Sequence, residues 1–226
     1  MKILSVILAR GGSKGIPNKN LKLLGGQPLV THMIKKCLEV SKSYDMKVVV
    51  SSDSDEIIKT SVEAGAWVPF KRPAHLAEDH VESLPVVQHA IIEIEKILNC
   101  IFEIIVYVQP TSPFCRVDDF KECIDNLLNR SDLESCIPIT DIATHPLKMK
   151  KLSKSGLVTN YIDQGFEDMR PRQLLPKVFR RAGSIYVSRR NVVMEKNTLV
   201  GEPCLGIKVP PNTAIDIDNP LDLELA

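Results

Sequence analysis

Apolar positions along the chain follow two periods, and their alternation is the first guide to the fold. Short apolar runs, Ile3 to Leu8, Lys47 to Ser51, Trp67 to Phe70, Ile104 to Val108 and Ser135 to Thr140, read as buried strands. Between them, apolar residues recur three and four positions apart, as on one face of a helix. Leu29, Ile34, Cys37 and Leu38 mark such a helix from about Pro28 to Val40, and Val86, Val87, Ala90, Ile91, Ile94 and Leu98 mark another over 83–98. A third spans Val117 to Leu128. A fourth is predicted to start at Asp53, which has Glu56 three residues on in a capping-box-like pattern, and to run through Glu63 to a stop at Gly65. Asp53 reads as a helix cap on this spacing rather than a metal ligand. Four successive strand-to-helix alternations predict an α/β fold with a doubly wound, mostly parallel sheet.

The alternation stops near residue 145. Between His145 and Arg180 the segments are short, polar and punctuated by proline, too long a stretch for an ordinary connection, and such an excursion is expected to be a lid or an oligomerisation arm. Phe179 to Val187 and Cys204 to Val209 return to strand character, and Asn219-Pro220 opens a last helix. No repeat, low-complexity run or linker divides the chain, so residues 1–226 read as one domain long enough to bury a sizeable core.

Composition narrows the class further. A net charge of +1, with 44% hydrophobic and 25% charged residues, gives no general field for nucleic acid or an acidic membrane, so anion recognition must come from local clusters. The six cysteines are scattered without a C-x-x-C pair, which suits reduced thiols and predicts a cytoplasmic protein. The opening apolar run is at the short limit for a signal peptide core and ends at Arg10 without a small-residue cleavage site, so it reads as the first strand, and nothing approaches the ~18 apolar residues of a membrane span. The five histidines form no metal pair or triad-like grouping and are expected in surface, capping or core roles.

The chemistry concentrates at the carboxyl end of the first strand, where open α/β sheets bind ligands. There Ala9-Arg10-Gly11-Gly12-Ser13-Lys14-Gly15-Ile16-Pro17-Asn18-Lys19-Asn20 combines three glycines with three cations. Glycines free to take unusual backbone conformations let successive N–H groups form an anion-binding nest, and the cations suit a polyphosphate. Neither G-x-x-x-x-G-K-[ST] nor G-x-G-x-x-G is present, so a P-loop NTPase and a dinucleotide dehydrogenase are unsupported. On glycine and lysine content alone, a solvated surface loop accounts for the segment equally well. Further along, Asp216 and Asp218 stand one residue apart between isoleucines, which puts both carboxylates on one face of an extended segment. Such a pair suits Mg²⁺, although an alternating D-x-D is also a common solvent face.

The loop resembles the signature of the acylneuraminate cytidylyltransferases. Further blocks follow in that family's order: Arg72-Pro73-Ala74-His75-Leu76-Ala77, Gln109-Pro110-Thr111-Ser112-Pro113, His145-Pro146-Leu147-Lys148, Arg170-Pro171-Arg172-Gln173, Gly183-Ser184-Ile185-Tyr186 and Ile215-Asp216-Ile217-Asp218. The resemblance implies a Rossmann-like nucleotidyltransferase that joins CMP from CTP to a nonulosonic acid, with release of pyrophosphate. It implies a homodimer in which the 145–180 arm embraces the second subunit, and Mg²⁺ held by Asp216 and Asp218.

Site roles follow from the same blocks. Arg10 and Lys19, with the backbone of Ala9, Gly11, Gly12 and Ser13, are expected to bind the phosphates. Asn20, Arg72 and Ser83 match positions that touch ribose and cytosine, with helix capping an equal reading for Ser83. Gln109 and Tyr186 match sugar contacts, and Lys148 and Arg172 match positions that reach the sugar carboxylate from the partner subunit. Lys14 reads as a phosphate contact or a solvated side chain. Arg10, Lys19, Asp216 and Asp218 are the expected catalytic set. Leu199 and Val200 stand where sialic acid enzymes carry an aromatic pair, which points toward legionaminic or pseudaminic acid. A 3-deoxy-manno-octulosonic acid cytidylyltransferase and a noncatalytic nucleotide-binding module are the competing readings.

Overall fold

The computed structural model describes residues 1–226. Strand β1 (Ile3–Leu8) leads through the glycine-bearing loop to a small hairpin, β2 (Leu23–Leu24) with β3 (Gln27–Pro28), and then to α1 (Leu29–Ser41). Next come β4 (Met46–Ser51), α2 (Asp55–Glu63), α3 (Ser83–Leu98), β5 (Ile104–Val108), α4 (Val117–Asn129) and β6 (Ser135–Asp141). The excursion contains a second hairpin, β7 (Lys150–Leu152) with β8 (Val158–Asn160). The chain closes with β9 (Phe179–Arg181), β10 (Ile185–Arg189), α5 (Arg190–Met194), β11 (Cys204–Lys208) and α6 (Pro220–Leu225).

Seven strands form the central sheet in the order β11-β6-β10-β5-β1-β4, with β9 attached to β6. β1 lies between two parallel neighbours, β4 (Ile3 opposite Met46) and β5 (Ile3 opposite Ile104). Five strands run one way; β9 and β10 run the other, so the sheet is mostly parallel as expected. Alternate side chains of each strand point to opposite faces. Ile3, Ile7, Val48, Val50, Val106 and Val108 therefore pack beneath α1, α2 and α4, while Leu4, Val6, Val49, Ile105, Tyr107 and Ile137 meet α3 and α5. Both faces are covered by helices, the doubly wound arrangement, and the helices with apolar residues at three- and four-residue spacing are the ones that cover them. No helix is long and apolar enough to cross a membrane.

Three expectations need correction. Trp67 to Phe70 is not a ladder strand: Trp67 makes a single parallel bridge to Val49, and Pro69 has no N–H to extend the pairing. The run from Phe179 to Val187 is two strands, broken at Gly183, whose φ of +81° reverses the chain; β10 then inserts antiparallel between β5 and β6. Asp53 does not cap α2. Ser54 does, accepting from the Ile57 N–H at 3.4 Å, and Asp53 turns instead to the first glycine of the loop.

In the 145–180 excursion, β7 and β8 pair with each other and with no strand of the main sheet. Their apolar side chains point outward: Leu152 is 74% and Leu157 69% exposed, with Val158, Tyr161, Phe166 and Met169 also open. The segment is held by local polar contacts. Arg170 pairs with Asp168 at 2.7 Å, Lys148 donates to the Asp168 carbonyl at 2.6 Å, and Lys150 pairs with Glu167. His145 anchors its base, its Nδ1 accepting from the Leu147 N–H at 3.2 Å and its Nε2 donating to the Pro176 carbonyl at 3.1 Å.

Candidate active site

A cleft of about 500 Å³ opens at the carboxyl ends of β1 and β5. Arg10, Ser13, Lys19, Asn20, Arg72, Ser83, Gln109, Asp216 and Asp218, expected from the sequence as site residues, all line it. They come from five separate stretches of chain, and the sheet brings them to one edge. Ala9 is buried beneath the cleft, its N–H bonded to the Ser51 carbonyl at 3.1 Å.

The glycine loop is ordered by side chains rather than by unusual backbone. Gly11, Gly12 and Gly15 all lack the positive φ that a nest of alternating conformations requires. Gly11 donates its N–H to Asp53 Oδ1 at 2.9 Å, and the Asn20 amide donates to the Arg10 carbonyl at 2.9 Å. Gly15 is required for a different reason: a Cβ there would collide with the Asp218 carbonyl. The loop is thereby pressed against the Asp216 to Asp218 segment.

Three cations of the cleft, Arg10, Lys14 and Lys19, are already matched by carboxylates. Asp79 takes Arg10 Nη1 on one oxygen at 2.9 Å and Lys14 Nζ on the other at 2.8 Å, and these cations hold its carboxyl below the usual range. Lys19 pairs with Asp218 at 2.9 Å. Arg72, only 4% exposed, donates to the Ser51 hydroxyl and carbonyl at 3.0 and 2.5 Å. Burial pulls its pKa down to about 10, with Asp53 opposing and Arg10 adding to the shift, so the guanidinium stays charged at neutral pH.

Asp216 is set between opposing influences. Burial raises its pKa, a short hydrogen bond from the Ser112 hydroxyl lowers it, the neighbouring Asp218 raises it, and Arg180, 3.9 Å away, lowers it, with a net shift upward. Gly183 makes room for this carboxylate, because a Cβ at that position would lie 2.7 Å from Asp216 Oδ2. The Ile217 N–H bonds to the Thr111 carbonyl at 2.8 Å, which ties the segment to the loop after β5. No three metal-ligating side chains converge anywhere in the structure. The available set is two hard carboxylates in a cleft also lined by Arg10 and Lys19, which fits Mg²⁺, an ion that commonly takes one or two protein carboxylates and completes its shell with water and phosphate.

Ser83 is the first residue of α3 and does not cap it; Glu82 occupies the cap position without a side-chain bond. The Ser83 hydroxyl instead meets the Tyr107 hydroxyl at 2.8 Å. Gln109 Nε2 donates to the same Tyr107 oxygen at 2.8 Å, and the Tyr107 ring stacks on Tyr186 with centroids 5.2 Å apart. Leu199 and Val200 do not reach the cleft lining. They pack against the apolar cluster that contains Tyr107 and Tyr186. Lys148 and Arg172 lie outside the cleft as well: Lys148 is bound within the arm, while Arg172 borders a second hollow of about 660 Å³ with His145 and Phe179 and donates to the Ile142 carbonyl.

Sequence reasoning missed four residues of this site. Tyr107 had a visible signal, the only polar tip in the apolar run from Ile104 to Val108. Ser112 lay within a recognised block without a role. Asp79 carried no local signal and Asp53 carried only that of a helix cap, since each acts through a contact more than forty positions away.

An α/β sheet with a polar, cation-rich cleft at its carboxyl edge defines a nucleotide-binding protein of the doubly wound class. The chain belongs to the cytidylyltransferase family, whose sequence profile matches residues 4–197. It is 29% identical to the CMP-N,N'-diacetyllegionaminic acid synthase of Legionella pneumophila, covering all of this chain and 94% of that one. It is 30% identical to the pseudaminic acid cytidylyltransferase of Campylobacter jejuni, covering 100% and 95% of the two chains. Among solved structures, CMP:2-keto-3-deoxy-manno-octonic acid synthetase complexed with CTP superposes with a TM-score of 0.71 at 18% identity, over 100% of this chain and 96% of that one, a likeness of fold.

Proposed function

We propose that this cytidylyltransferase moves CMP from CTP to the anomeric hydroxyl of a sialic-acid-like nonulosonic acid and releases pyrophosphate. The observation that carries the reading is the convergence of Arg10, Lys19, Asn20, Arg72, Ser83, Gln109, Asp216 and Asp218 on one cleft. Similarity to synthases for legionaminic and pseudaminic acid supports those two sugars over N-acetylneuraminic acid.

In this reading the anomeric oxygen bonds to the α-phosphorus as the bond to the bridging oxygen of pyrophosphate breaks, and the hydroxyl proton leaves to solvent. Arg10, Lys14 and Lys19 exchange their carboxylate partners for the β- and γ-phosphates. Charge grows on the departing pyrophosphate, so the same contacts strengthen toward the transition state and lower the barrier. Ser13 and the loop N–H groups add donors. Asn20, Arg72 and Ser83 orient ribose and base, while Gln109 presents the sugar in line with the phosphate and Tyr186, outside the cleft lining, supports it through its stack on Tyr107. Asp216 and Asp218 would hold Mg²⁺, which when bound neutralises phosphate charge and makes a nearby hydroxyl more acidic.

The arm completes the proposal. Residues 145–180 form a dimerisation arm on a single nucleotidyltransferase domain, and Lys148 and Arg172 serve the partner's sugar carboxylate; the outward apolar side chains of the arm support this assignment. The enzyme works in the cytoplasm, where CTP is available. Leu199 and Val200 influence the choice of sugar through the packing of Tyr186 rather than by contact.

The test is pyrophosphate release from CTP with a panel of legionaminic, pseudaminic, N-acetylneuraminic and 3-deoxy-manno-octulosonic acids. Turnover with one of the first two is the expected result. Turnover with the last alone would move the assignment to that sugar, and CTP binding without turnover would make the chain a noncatalytic nucleotide-binding module.

A further inference from the structure

We infer that Tyr107 is a positioning residue that fixes the hydrogen-bond polarity of the cleft, turning Ser83 into a donor toward the base and thereby favouring CTP over UTP. The inference rests on the proposed use of CTP and on the nucleotide-binding role of Ser83. Tyr107 itself is 4% exposed near the carboxyl end of β5, and its hydroxyl makes two contacts at 2.8 Å, with Ser83 Oγ and Gln109 Nε2.

Proton bookkeeping gives the direction. An amide nitrogen only donates, so the Tyr107 oxygen accepts from Gln109. Burial raises the Tyr107 pKa, which keeps the phenol neutral with one proton of its own. Of the two groups in contact with the Tyr107 oxygen, Ser83 Oγ is the one able to accept that proton. Ser83 therefore accepts from Tyr107, and its own O–H is free to donate into the cleft that it lines.

The ring is held as firmly as the hydroxyl. It stacks on Tyr186 at an interplanar angle of 20°, with the Arg181 guanidinium 5.8 Å from the Tyr186 ring centre. A hydroxyl carried on so fixed a ring cannot follow Ser83 if Ser83 rotates, so the donor direction is built in. Cytosine and uracil both offer O2 as an acceptor, but ring position 3 is a bare acceptor in cytosine and an N–H donor in uracil. A fixed donor satisfies the first and faces the second donor to donor, leaving both unpaired.

The experiment measures CTP and UTP dissociation constants by calorimetry for wild type, Tyr107→Phe, Ser83→Ala and the double variant. Phe keeps the ring and its stacking, and thermal unfolding checks that the fold survives. The expected result is a preference for CTP in wild type that falls about tenfold in Tyr107→Phe, the scale of one oriented hydrogen bond. In the Ser83→Ala background the Tyr107→Phe change should then have no further effect, because its action runs through Ser83. An unchanged ratio in Tyr107→Phe, an effect that persists without Ser83, or a wild type without preference for CTP would each overturn the inference. Since these are binding measurements on nucleotides alone, they are independent of the sugar, and failure of the transfer reaction itself appears separately in the pyrophosphate assay.

Discussion

In the cleft, a charged side chain such as Lys19 is 14% exposed and bound to a carboxylate 199 positions away; in the arm, an apolar side chain such as Leu157 lies 69% exposed. The cleft is overdetermined by its own chain: each loop at the sheet edge is tied to another by a hydrogen bond or ion pair. In the arm, between the buried Leu147 and Leu175, the apolar side chains Leu152, Leu157, Val158, Phe166 and Met169 lie outside while Asp168 is buried. A surface of that kind is expected where a partner covers it. One chain thus builds a finished binding cleft and leaves an apolar arm open to solvent.

The largest effect should come from breaking the finished side. Asp216→Asn is expected to lower turnover at least ~10²-fold, or about 2.7 kcal/mol, the scale of one strong electrostatic contact at a reacting phosphate. Stability should move the other way. The folded carboxyl titrates above its unfolded value, so its contribution is favourable at low pH and is lost as pH rises through the folded pKa. Asn avoids that loss and should raise the melting temperature at pH 7. The gain should fade as pH falls and the wild-type carboxyl takes up its proton. A drop in melting temperature at pH 7 with near-normal activity would mean that Asp216 is structural.

On the unfinished side, Leu157→Asp combined with Phe166→Asp should halve the solution mass measured by light scattering and leave the circular dichroism of the sheet unchanged. A monomeric wild type would remove the dimer and, with it, the role proposed for Lys148 and Arg172.

A smaller effect tests whether the cleft's internal ion pairs compete with ligand. Asp79→Asn leaves Arg10 and Lys14 without a carboxylate to give up, so inorganic pyrophosphate should bind roughly two- to fivefold more tightly, the scale of an exposed ion pair. The gain should shrink in high salt, as calorimetry over a salt series would show. Weaker binding would mean that Asp79 orders the loop instead.

The smallest effect lies in the arm. Arg170 holds the Asp168 carboxyl at about 2, below its unfolded value, so the pair's contribution is present above the unfolded pKa and is lost as pH falls through about 2. Hydrogen exchange over 145–180 should therefore be flat from pH 7 to about 4, after correction for intrinsic rates, and quicken toward pH 2. Asp168→Asn should quicken it already at pH 7.

Much of this molecule is legible along the chain because local periods report local burial. Val30, Ile34 and Cys37 sit on one face of a helix, and Ile3 to Leu8 can only be satisfied within a sheet. The blocks around Arg10, Gln109 and Asp216 likewise pointed to a nucleotide site, because each is a contiguous stretch of chain whose resemblance to a known family's motifs can be read in order. What the chain alone left undecided depends on partners far apart in sequence. Phe179 to Val187 has strand character whether it ends the sheet or, as it does through β10, inserts antiparallel between β5 and β6. Gly15 looked like a source of backbone freedom, but it serves the close approach of the Asp218 carbonyl. Asp53 had the spacing of a cap, and Gly11 claimed it. Tyr107 is one more large residue in a buried strand until Ser83 and Gln109 are brought to its hydroxyl. Periodicity determines which residues are buried; only the fold decides which buried polar groups meet, because their hydrogen bonds are satisfied across the sheet and not along the chain.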